Sequence, residues 1–183
     1  MAIRTAAVVL FVLGVTPIGA QEHIHKRQLK QKLFSKGSWI KTGATVAWEE
    51  IRNSPHEWGR AAGGLAKRAG SSAGQRAIKG VTEYTIASLW THEDIRYQRS
   101  GLDGKWPRVR YAVVRTFWVP RDVPGGKTFA IGRVTGAVVA GQVSRAWLPE
   151  RVATFGAGIS SAGLSLGFDV GLNVLREFWP RAQ

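Results

Sequence analysis

Thr91-His92-Glu93-Asp94 sets a histidine beside two carboxylates, and His56-Glu57 forms a second, smaller pairing. An imidazole within reach of a carboxylate is the basic equipment of general acid–base catalysis, and a second carboxylate would allow it to hold a divalent metal. Adjacent side chains point about 100° apart on a helix and alternate faces on a strand, so three in a row converge on one proton or ion only with difficulty. Thr91 and Asp94 also resemble the cap of a short helix, in which Glu93 and Asp94 would favour the positive end of the dipole. His92, Glu93 and Asp94 are therefore expected to end a helix rather than form a reaction centre. The alternative is a small periplasmic hydrolase or metal-dependent enzyme built from them with His56 and Glu57. No G-x-S-x-G, H-E-x-x-H or paired-cysteine pattern supports that alternative, and no cofactor is expected.

The start of the chain bears on compartment. Arg4 followed by the apolar Ala6 to Val15 and by Ile18-Gly19-Ala20 has the pattern of an export signal over residues 1–20, too short in its apolar run for a membrane-spanning helix. Cleavage after Ala20 would leave Gln21-Glu22-His23, with an imidazole third from a free amine, a nitrogen set suited to Cu(II) or Ni(II). An N-terminal glutamine readily cyclises and loses that amine, so His23 is a motif match without context. Residues 21–183 are then expected to form a single domain, with 21–38 as a basic arm or a weak first helix.

The chain carries 26 Lys and Arg against 12 Asp and Glu, a net charge of +14, and no cysteine. Stability must come from packing, and partners should be anionic. In the cytosol such a surplus would suggest nucleic acid. Export redirects it to lipid headgroups and acidic wall polymers, which attract cations through the same screened electrostatics.

The elements that must position these groups read as helices. Ile40, Ala44, Ala47 and Ile51 form one stripe at helical spacing within Trp39–Asn53. Ser54, Pro55 and Glu57 match a capping box that opens the next helix, through Arg68, with Gly70-Ser71-Ser72 loosening or ending it. From Ala73 to Trp90, Ile78, Val81, Thr85 and Leu89 are expected to face inward, and Arg76 and Lys79 outward. Residues 105–120 suit a helix by length and a strand by β-branched content; helix is chosen. The stretch from Pro120 to Lys127 is a turn on either reading.

The last third is dotted with glycine. Gly132-x-x-x-Gly136 and Gly163-x-x-x-Gly167-x-x-x-Gly171 each keep glycines on one ridge, so a second helix can approach until backbones nearly touch. Such ridges serve a soluble core, lipid-embedded helices and oligomer contacts alike. Val152 to Leu175 carries only Asp169 as a charge and is long enough to cross ~30 Å of hydrocarbon. Its many small and polar residues, with Arg133 and Arg145 on the preceding helix, argue against a single span. Residues 164–174 also alternate apolar with small or polar, as a barrel strand does. The eight tryptophans are expected to fill the space between glycine- and alanine-rich helices, with anchoring at lipid headgroups as the alternative.

Pro55-His56-Glu57-Trp58-Gly59, His92-Glu93-Asp94-x-Arg96-Tyr97 and Asn173-x-x-x-Glu177-Phe178-Trp179-Pro180 resemble segments of uncharacterised exported proteins of bacterial envelopes. The resemblance implies a shared helical fold and lends no catalytic residue. The expectation is an all-α, compact multi-helix domain with glycine-ridged packing. Its expected role is that of a non-enzymatic envelope protein docking on anionic membrane or cell-wall material through Arg60, Lys67, Arg68, Arg76 and Lys79. The competing expectations are the enzyme above and a membrane-inserted or barrel protein.

Overall fold

A computed structural model describes residues 36–121 and 126–179; the export signal, most of the basic arm and His23 lie outside the described residues. The elements are α1 (Lys36–Ile51), a 3-10 turn (His56–Trp58), α2 (Ala62–Ile86) continuing into a π-helical turn (Ala87–Thr91), α3 (Lys105–Phe117), the strands β1 (Trp118–Pro120) and β2 (Lys127–Phe129), α4 (Ile131–Ser144) and α5 (Phe155–Phe178). β1 and β2 form an antiparallel hairpin in which Trp118 pairs with Phe129, their rings edge to face at 5.3 Å. The chain is thus a compact multi-helix domain, and residues 164–174, which alternate like a barrel strand, are coiled within α5.

Local chemistry moved several boundaries. The capping box at Ser54 does not start a long helix: Pro55 is extended and Gly59, at φ +68°, ends the turn after three residues. α2 begins instead at Ala62 and passes unbroken through Gly70-Ser71-Ser72. Ser71 and Ser72 are buried there, and Ser71 Oγ accepts the Trp147 indole N–H at 3.0 Å, so packing offsets the weak propensity of the triplet. Residues 105–120 divide between the two readings, helix to Phe117 and strand beyond. No helix follows Thr91. His92 turns left-handed at φ 49°, and the Glu93 and Asp94 N–H groups donate to Ala87 O and Pro120 O.

Cross-contacts fix the directions. Glu50 meets Arg68 and Lys41 meets Asp169, so α1 runs antiparallel to α2 and α5. α4 returns antiparallel along α2 through its glycines: a Cβ on Gly132 would stand 2.9 Å from Glu83 O, and one on Gly136 2.8 Å from Lys79 O. At the far end of α4 a Cβ on Gly141 would overlap the Gly158 carbonyl of α5. The expected ridge of α4 is therefore a true packing surface. That of α5 is not: Gly163, Gly167 and Gly171 are exposed, and a Cβ on any of them would meet nothing within 4 Å.

The bundle buries charged side chains and exposes many large apolar ones. Its apolar core consists of Ala87, Ala112, Val119, Ala130, Ala137, Ala140 and Ala162, whereas Arg68, Glu83, Glu177, Thr116 and Ser144 are among the largest fully buried side chains. The exposed positions of α1, α4, α5 and of α2 beyond Lys67 are Trp, Ile, Leu, Phe, Ala and Gly, with Ser160 the one polar exception among the described side chains. The stripe of Ile40, Ala47 and Ile51 thus faces outward, while Lys41, Thr42 and Thr45 turn in. On α2 Lys79 is buried, and in the π-helical turn after it Leu89 is exposed, the opposite of the inside and outside expected from the sequence; Glu83 is buried as well. The tryptophans do not fill the core either. Seven of the eight are exposed, Trp90 and Trp106 by 81% and 82%.

Candidate functional site

The histidine candidates come apart. His92 is exposed, while the two carboxylates after it are buried and occupied with other partners. Glu93 Oε1 accepts the Gly132 N–H at 3.3 Å, at the first turn of α4. Asp94 accepts from Arg96 N at 3.0 Å, Arg96 Nε at 3.3 Å and Gln98 Nε2 at 3.2 Å, closing the loop that follows. His56 and Glu57 are exposed, with His56 Nδ1 3.0 Å from Asn53 Nδ2. The whole of α2 and its π-helical turn separates His56 from His92, a span of about 45 Å at helical rise. One cleft cannot hold both. Among the described residues no group of three or more His, Asp or Glu is placed to hold a metal ion.

The five cations expected on a contact face also divide. Arg60 and Lys67 are exposed, as is Arg52, whose guanidinium lies 5.7 Å from the Trp48 ring centroid. Arg68 is fully buried. It donates to Glu50 Oε2 and Gly59 O at 2.8 Å, to Ser54 O and Pro55 O at 3.1 Å and to Asn53 Oδ1 at 3.3 Å, and so gathers the connection between α1 and α2. The planar fork of five donors suits this work, which a lysine could not do. Lys79, 5% exposed, bonds Asp169 and donates to Ser165 Oγ at 2.9 Å. Arg76 is half-buried, and its Nε donates to Ser72 O at 3.4 Å.

What the fold does assemble is a polar chain through the middle of the bundle. Asp169 of α5 lies between Lys41 of α1 and Lys79 of α2. Arg133 of α4 donates to Glu83 Oε1 of α2 at 3.2 Å and to the Thr116 carbonyl of α3. Thr116 Oγ1 accepts Asn173 Nδ2 at 2.9 Å, and Asn173 Oδ1 accepts Arg176 Nη1 at 3.3 Å. At the end of α5, Glu177 accepts Tyr97 OH at 2.7 Å, the Ser100 N–H and Oγ–H at 2.9 Å each, and Arg108 Nε at 3.4 Å. Burial, and then the Glu177 carboxylate that it serves, push the Tyr97 phenol above its ordinary range, so it stays a donor. A carboxylate satisfied this fully holds the loop before α3 onto the helix end.

Beside the Lys41–Asp169–Lys79 cluster lies a cavity of about 50 Å³. Lys41, Thr45 and Glu49 line it from α1, Ser72, Gln75 and Arg76 from α2, Ala137 and Ala140 from α4, and Ser161 and Ser165, with Leu164 and Phe168, from α5. Sequence reasoning singled out none of Lys41, Glu49, Glu83, Arg133 or Glu177 as a site. The available signal was chemical: a lone acid on an otherwise apolar helix, as at Asp169, requires a buried partner from elsewhere in the chain. No family model, curated protein or solved structure matches the chain.

Proposed function

We propose that the chain is a non-enzymatic, lipid-embedded protein of the cell envelope, a helical bundle with its apolar faces in hydrocarbon and its ends at anionic headgroups. The observation that carries the reading is the inverted polarity: charged side chains pair inside, while the outward faces of four helices carry no exposed charge beyond Lys67. In water this arrangement would forfeit the hydrophobic driving force, and an apolar surface of that extent would aggregate. In lipid it is the arrangement expected, because polar groups inside the membrane must find partners within the protein. α5 is long and apolar enough to cross a membrane and spans about 36 Å, against ~30 Å of hydrocarbon.

The ends support the same reading. Trp58 stands just before the start of α2 and Trp90 just beyond its finish, with the 25 residues of α2, about 37 Å at helical rise, between them. Amphipathic rings at the two ends of such a span suit the two interfaces of a membrane. Exposed cations keep to these ends, Arg52, Arg60 and Lys67 at one and Arg96, Arg99, Lys105 and Arg110 at the other. Each would add about 1 kcal/mol of attraction to an anionic leaflet.

Fractionation of native envelopes tests the proposal. The protein should remain with the membrane through concentrated salt and alkaline carbonate washes and leave only with detergent. Release by salt alone would overturn it in favour of a peripheral protein held through Arg60 and Lys67.

A further inference from the structure

We propose that the cavity between α1, α2, α4 and α5 binds a small neutral molecule with a hydroxyl group, of the size of ethanol, its oxygen between Glu49 and Ser72 and its carbons against α4 and α5. This goes beyond the membrane reading and does not depend on it, since Glu49 Oε2 and Ser72 Oγ are buried inside the bundle whatever surrounds the exterior.

Most polar groups around the cavity are engaged with one another. Lys41 is paired with Asp169, and Arg76 Nε donates to Ser72 O at 3.4 Å. Thr45 Oγ1 donates to Lys41 O, Gln75 Oε1 accepts the Ser161 hydroxyl, and Ser165 Oγ accepts Lys79 Nζ, each at 2.9 Å. Glu49 Oε2 and Ser72 Oγ are the exceptions. Both residues line the cavity, and neither atom has a hydrogen-bond partner among the described residues, although Ser72 is only 5% exposed. A buried polar atom left unbonded is costly, and folded proteins rarely keep one without a ligand or a water. Because the cations beside the cavity already have partners, its open requirement is for hydrogen bonds and not for charge. A carboxyl oxygen takes a donor and a serine hydroxyl gives or takes one, so a single group that both donates and accepts serves the two.

The rest of the lining decides what that group is attached to. Ala137 and Ala140 of α4, with Leu164 and Phe168 of α5, give their part of the wall no side-chain hydrogen-bonding group. The volume of about 50 Å³ is several times the roughly 10–15 Å³ that one water requires, and a buried water needs about two to four polar partners. One water between Glu49 and Ser72 would leave the remaining space to waters with few partners. Carbon suits that space better, because an apolar group that displaces poorly bonded water gains affinity. A cavity of about 150 Å³ takes the six carbons of benzene, so about a third of that volume sets a ligand of about two or three heavy atoms. A short alcohol meets these conditions together. Leu164 both lines the cavity and is exposed, so the α5 wall reaches the surface and gives such a molecule a way in.

Titration of ethanol into the purified full chain in detergent, followed through alanine methyl groups labelled with carbon-13, tests the proposal. The Ala137 and Ala140 resonances should shift and saturate, with a dissociation constant of about a millimolar at best, the ceiling for three heavy atoms. Ala73 and Ala77, on the exposed side of α2, should not follow that curve. Dimethyl ether, an isomer of ethanol that accepts a hydrogen bond but cannot donate one, should bind at least about tenfold more weakly, because it leaves Glu49 Oε2 without a donor. Ser72→Ala should weaken ethanol binding about fivefold, as the loss of one hydrogen bond does, while circular dichroism and the unfolding midpoint stay close to the parent. A shift that rises without saturating, equal binding of dimethyl ether, or a folded Ser72→Ala that keeps the parent's affinity would each overturn the proposal. The two isomers are compared on the unaltered chain, so the test holds even where the variant folds poorly.

Discussion

Two glycine ridges of identical spacing meet opposite fates in this molecule. Gly132 and Gly136 of α4 lie against the backbone of α2 so closely that neither tolerates a methyl group without movement, whereas Gly163, Gly167 and Gly171 of α5 face open space. The spacing places glycines on one side of a helix. Whether another helix lies there depends on what the opposite side of that helix must reach. In α5 the opposite side carries Ser161, Ser165, Asp169, Asn173 and Glu177, whose partners are on α1, α2, α3 and the loop before α3. Pairing those groups turns the glycine side outward. α2 repeats the lesson with charge, because Lys67 is on its exposed side and Lys79, three turns on, is buried against Asp169.

The comparison can be broken at its most costly point first. Lys79→Met should destabilise the bundle by about 3 kcal/mol, the lower end of the range for removing one partner of a buried ion pair, because Lys41 still faces Asp169. Lys67→Met should change stability by less than about 0.5 kcal/mol, as exposed substitutions do. Reversible unfolding in detergent, followed by circular dichroism, measures both; equal losses would mean that the two lysines do not occupy different environments.

On α4, Gly141→Val forces a side chain into the Gly158 carbonyl and should cost about 2 kcal/mol. On α5, Gly167→Ala meets no neighbour and removes a poor helix former, so the monomer should gain about 1 kcal/mol. If Gly167→Ala instead lowers stability, and cross-linking or light scattering shows a larger assembly in the parent, a second copy covers that ridge.

The smallest effect concerns the histidine. His92→Gly places the residue best suited to a left-handed backbone at φ 49°, and its gain of about 0.5 kcal/mol reflects relief of that conformation less the added freedom of the unfolded chain. A loss of more than that amount would give the imidazole a role that its exposure does not suggest.

Much of the helical outline was legible from local signals. The stripe within Trp39–Asn53 marks α1 to within a few residues, and Pro120 and Lys127, the ends of the expected turn, pair across β1 and β2. His92 to Gly104 forms no helix, although Thr91 and Asp94 resemble the cap of one. The candidate site was not legible, and Arg68 shows why. As a basic residue in a stretch of Ala, Gly and Lys it looks like part of a solvated face, and only the return of residues 50–59 over it supplies the five acceptors that make its burial favourable.

The sequence by itself determined that this chain coils into helices, where most of them stop, and which residues share a side of each. Hydrophobic periodicity carries that information because it depends on 3.6 residues per turn and on nothing beyond the helix. Only the tertiary structure decided which side faces in. An amphipathic pattern is the same with its two sides exchanged. The choice rests on whether Asp169, Glu83 and Glu177 find Lys41, Lys79, Arg133 and Arg108 across the bundle, and those meetings join residues up to 128 positions apart.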